Sequence, residues 1–72
     1  MEGIYIISKT LINLSQVRAI YGSEEFTYFD MESGMSNGYR FNGYDAKKVC
    51  EHIATMQEKG LAVARYEQTA DN

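Results

Sequence analysis

Proline and tryptophan are absent from this chain of 72 residues, and cysteine and histidine occur once each. A single cysteine rules out a disulfide within the chain, and one Cys with one His leaves a tetrahedral zinc site short of ligands. A lone thiol is at home in a reducing compartment, so a cytoplasmic location is the expectation. No apolar run approaches the ~20 residues needed to span a bilayer. The N-terminus lacks a basic region followed by an apolar core, so neither membrane anchoring nor secretion is expected. Asn13-Leu14-Ser15 fits a glycosylation sequon, which has no meaning without secretion. Basic residues are few: seven Lys and Arg stand against ten Asp and Glu, for a net charge of -3. They are also scattered, the longest run being Lys47-Lys48. This balance disfavours direct nucleic-acid binding, which relies on clustered cations.

What the chain does have is apolar and aromatic side chains. Hydrophobic residues make up 44%, with six Tyr and three Phe. A chain this short buries only about 60% of the surface its unfolded form exposes, so its stability is marginal without a staple or self-association. One domain over residues 1–66 is expected, followed by a frayed polar tail over 67–72.

Residues 4–8 read as a strand from their β-branched majority. Residues 10–16 are less regular and read as a bend or a short strand. Val17–Tyr21 is a strand, Gly22-Ser23-Glu24 a turn, and Glu25–Met31 the returning strand of a hairpin. Residues 33–38 form a loop containing the favoured turn pair Asn37-Gly38, and Tyr39–Phe41 is a further strand. Asp45 reads as an N-cap. Ala46, Val49, Cys50, Ile53 and Met56 follow on one helical face, and Lys59-Gly60 is a stop signal, so a helix is predicted over 46–59. Leu61–Tyr66 fits an edge strand or a second short helix, with the strand preferred. The expected fold is α+β: a small antiparallel sheet of four to five strands with one amphipathic helix on one face.

Side chains alternate faces along a strand. In Ile4–Ile7, Val17–Tyr21 and Phe26–Phe29 apolar or aromatic residues occupy both parities. One helix can cover one face, which leaves the other for a partner. Tyr5, Tyr21, Tyr28 and Tyr39, with Tyr44 beside them, are the candidate contacts, because tyrosine joins a large apolar body to a polar tip. Met31 and Met35 add adaptable apolar surface. Glu24, Glu25, Asp30 and Glu32 form an acidic group around the third strand that could meet a basic partner. Asp30 and Glu32 share a parity about 7 Å apart, a spacing open to acid–base chemistry but commoner at a solvated strand end.

Cys50 and His52 lie too close along a helix to meet as a catalytic pair. Cys50 reads as a core residue and His52 as solvated. Gly34–Gly38 matches neither phosphate-binding glycine pattern. No nucleophile–base pair, metal set or cofactor motif is present, so a non-enzymatic role is expected.

Four functions compete: a protein-binding regulator or inhibitor, a structural homodimer in a larger assembly, a small-molecule or nucleotide binder, and an enzyme. In its shortness, acidity, single domain and lack of catalytic signatures, the chain resembles small accessory proteins of phages and mobile elements, including anti-CRISPR proteins. That resemblance rests on general character over the whole chain, with no motif. It implies a protein that binds a bacterial host factor and blocks it, with Glu24, Glu25, Asp30 and Glu32 standing where nucleic acid would sit. A net charge of -3 is mild for such mimicry, so steric blocking is at least an equal expectation.

Overall fold

A computed structural model describes residues 1–32 and 38–67. Strands β1 (Ile4–Ile7) and β2 (Thr10–Asn13) lead into a 3-10 turn (Leu14–Gln16), followed by β3 (Val17–Gly22), β4 (Phe26–Met31), β5 (Tyr39–Asn42), helix α1 (Ala46–Lys59) and β6 (Val63–Arg65). The architecture is α+β, as expected. The single antiparallel sheet of four to five strands is not what forms. Six strands make two three-stranded sheets, ordered β2-β1-β6 and β3-β4-β5.

The split has a local cause. The side chain of Asn13 accepts from the Ser15 amide, which starts the 3-10 turn after β2. That turn takes the chain out of the first sheet before β3 begins. A bulge between Val17 and Ala19 then shifts the β3–β4 register, and bulges of this kind bend a strand.

Helix α1 runs over the predicted residues. The Asp45 carboxylate caps it by accepting from the Lys47 amide at 2.9 Å. Gly60 ends it in the left-handed conformation (φ 68°) that favours glycine. The chain then returns as β6, which pairs parallel to β1, Ile4 against Val63. The preferred strand reading of this segment holds over Val63–Arg65. Gly22 lets the start of α1 come close: a side chain there would strike the Phe26 carbonyl and crowd Ala46.

The inner faces of both sheets meet the stripe of α1 in one core containing Tyr5, Ile7, Ile12, Phe29, Val49 and Ile53, among others. Burying a residue such as Phe29 stabilises the fold by about 1.5–3 kcal/mol. Thr27 is the one buried polar residue among those described, and its hydroxyl donates to the Tyr44 carbonyl at 2.9 Å. Cys50, expected in the core, is only half-buried at the edge of the stripe. His52, expected in solvent, is also half-buried. No helix among the described residues is long and apolar enough to cross a membrane. The expected Asn37-Gly38 turn falls partly, and the tail from residue 68 wholly, outside the described residues.

Candidate interaction surface

Along β4, Thr27 and Phe29 are buried while Phe26, Tyr28 and Asp30 are half-buried. Strand alternation therefore aims Phe26, Tyr28 and Asp30 away from the core. Tyr21 lies opposite Tyr28 on β3, and Arg40 lies opposite Tyr28 on β5. The Tyr21 and Tyr28 rings meet at 5.3 Å between centroids. Tyr21 remains 53% exposed. Two of the four proposed tyrosines therefore stand together on the sheet face turned away from the core.

The other two tyrosines do not join them. Tyr5 is fully buried. It points inward from β1, touches the Phe29 ring and bonds through its hydroxyl to His52 Nδ1 at 2.7 Å. Its assignment to a contact surface is therefore corrected: in β1 the inward parity belongs to Tyr5 and Ile7. Burial pushes the Tyr5 phenol well above its ordinary value, so it keeps its proton. His52 is packed edge-on to both Tyr5 and Tyr66. This cluster fastens α1 to β1 and to the segment after β6. Tyr39 is exposed, but it shares the parity of buried Phe41 and stacks with it. It therefore borders the core side of β5 rather than the outer face.

The acidic group disperses as well. Asp30 is paired with Arg18, whose Nη2 lies 3.0 Å from Oδ2. Glu24 and Glu25 are exposed in the β3–β4 turn, and Glu32 is exposed just beyond the opposite end of β4. Strand rise separates Glu25 from Glu32 by about 23 Å. That is well over the screening length of about 8 Å at physiological salt, so the carboxylates do not act as one patch.

Two features escaped the sequence reading. The first is Arg40, whose guanidinium carbon sits 3.9 Å from the centre of the Phe26 ring. The shared parity of Phe26 and Tyr28 was visible, but the β4–β5 register that brings Arg40 to them was not. The second is the outer face of the β2-β1-β6 sheet. Ile4 and Ile6 are half-buried there, beside Leu11 at 63% and Val63 at 56% exposure. The apolar parity of β1 pointed to this face, while its neighbours depend on non-local pairing.

Between α1 and β3 lies an apolar groove of about 420 Å³ whose walls include Ala19, Ile20, Cys50, Ile53 and Ala54. Burial pushes the Cys50 thiol up, which leaves little of the reactive thiolate at neutral pH. Among the described residues no three His, Cys, Asp or Glu side chains come together as metal ligands. No protein-family model matches the chain, and no curated protein or solved structure matches it.

Proposed function

We propose that this protein is a non-enzymatic binding module that regulates or blocks a protein partner through the outer face of β3-β4-β5. The observation that carries the reading is the Tyr21–Tyr28 pair, in mutual contact on a sheet face opposite the core. Aromatic anchors of this kind supply large contact area at low entropic cost. The face is small. Three strands about 4.8 Å apart, two of six residues and one of four, outline roughly 260 Å², which suits recognition of moderate strength better than an obligate interface. Tyr21→Ser should leave the fold intact and weaken capture of a partner from a bacterial lysate, with mass-spectrometric identification against the unaltered chain. Equal capture of the same partner by both chains would remove this face from the reading.

A structural homodimer is the second reading, favoured by the exposed aliphatic side chains on the outer face of β2-β1-β6. A two-fold axis would let that one surface close on its own copy.

A further inference from the structure

The outer face of β3-β4-β5 holds a cation that the acidity of the whole chain conceals. The Arg40 guanidinium lies over the Phe26 ring, and its Nε donates to Asn42 Oδ1 at 2.9 Å. The ring contact holds the group against Phe26, and the Nε bond to Asn42 leaves both terminal nitrogens to donate elsewhere. Those two nitrogens form a fork of the shape that receives a carboxylate through two bonds. Arg18–Asp30 is the ion pair found among the described residues, and Arg40 takes no part in it. With Asp30 offset by Arg18, Arg40 is the cation of this face that stands outside an ion pair among the described residues, in a chain of net charge -3.

We propose that this face receives an extended segment of a protein partner that carries one carboxylate, set on the Arg40 fork, and an apolar side chain two residues along on the same face, set on Tyr21 and Tyr28. This rests on the protein-binding reading above and names the partner's chemistry. Nucleic acid also offers anions and flat rings, but a duplex strand sets a phosphate about every 3.4 Å along its axis and is held by a row of cations. Here a single fork stands near a turn bearing Glu24 and Glu25, which repel a continuous polyanion and tolerate one isolated carboxylate.

The test is an NMR titration of the full chain with acetyl-Ser-Glu-Ser-Leu-Ser-amide, which presents one carboxylate and one apolar side chain on the same face of an extended segment. Its charge-free counterpart, acetyl-Ser-Gln-Ser-Leu-Ser-amide, and hexathymidylate serve as the other two probes. The acidic peptide should shift the resonances of Tyr21, Phe26, Tyr28 and Arg40 and bind about fivefold more tightly than the neutral one, the scale of an exposed ion pair. Arg40→Gln should erase that difference while leaving the neutral peptide's affinity unchanged, and Arg40→Lys should restore only part of it. Arg40 is exposed, and an unchanged pattern of core resonances in each variant confirms the fold. Equal affinity for the two peptides, shifts centred elsewhere, full restoration by lysine, or tighter binding of hexathymidylate would each overturn the proposal. If Tyr21→Ser weakens both peptides and Arg40→Gln weakens neither, the surface stands and the acidic partner falls. If neither variant has any effect, both readings fall.

Discussion

Lys9→Gly should make this protein more stable, and the reason lies in two backbone angles. Ser8 and Lys9 form the two-residue connection between β1 and β2, closed by the Ile7–Thr10 pair. Both have positive φ, 51° and 66°. That is the type I′ geometry of tight hairpins, for which Asn-Gly is the favoured sequence. A side chain in this left-handed region costs about 1–2 kcal/mol. Glycine removes that cost and adds about 0.5–1 kcal/mol of unfolded-state entropy in exchange. The net gain is about 0.5–1 kcal/mol, or a rise in Tm of roughly 4 °C for a domain of this size. Urea denaturation followed by tyrosine fluorescence, with a parallel thermal scan, measures both quantities. Lys9→Ala separates backbone from charge, because alanine removes the ammonium and keeps the strained angle. If alanine stabilises as much as glycine does, or glycine gives no gain, the strain argument is wrong.

Stability should also fall on the alkaline side. Folding raises the pKa of Tyr5, Cys50 and Tyr66, chiefly by burial, so each holds its proton to higher pH. The unfolded chain therefore loses these protons first, and the associated stability, complete below the unfolded values, declines as pH rises past about 8.5 for the thiol and about 10 for the phenols. Denaturation midpoints measured from pH 7 to 11 should show this decline, and Tyr5→Phe should flatten the upper part of it; a Tyr5→Phe profile parallel to the unaltered one would contradict the assignment. For the homodimer reading, Leu11→Lys should lower the solution mass of any dimer by sedimentation while changing stability by less than about 0.5 kcal/mol, since Leu11 is exposed. An unchanged dimer would exclude that face.

The parts of the fold that could be read from sequence are those whose signals are local. α1 carries its own cap, stripe and stop at Asp45, Val49–Ile53 and Gly60, and it forms where those residues place it. The β3–β4 hairpin is announced by Gly22 and the polar residues after it. The β1–β2 hairpin was missed because Ser8-Lys9 is not turn chemistry; tertiary pairing holds it in a conformation that its residues do not favour. The parallel pairing of β6 with β1 depends on where α1 delivers the chain, which no window of sequence reports. The candidate surface divides along the same line. Tyr21 and Tyr28 come together through one local hairpin. Tyr5 has the same side chain in a similar strand, yet the helix and second sheet packed over β1 enclose it. The acidic residues looked clustered because they are near in sequence, whereas an extended strand holds them far apart.

The parallel contact between β1 and β6 joins segments far apart in the chain. β1 is the first strand along the described chain and β6 the last. β2 can pair with β1 early, since only two residues join them. The opposite edge of β1 pairs with a strand that follows α1 and the turn at Gly60. Contacts between such distant segments carry a large loop-closure cost and slow folding. Until β6 docks, β1 offers an open strand edge to any neighbouring chain. This molecule is thus most exposed to mispairing before its last strand arrives, and β6, though only three residues long, is the element that ends that exposure.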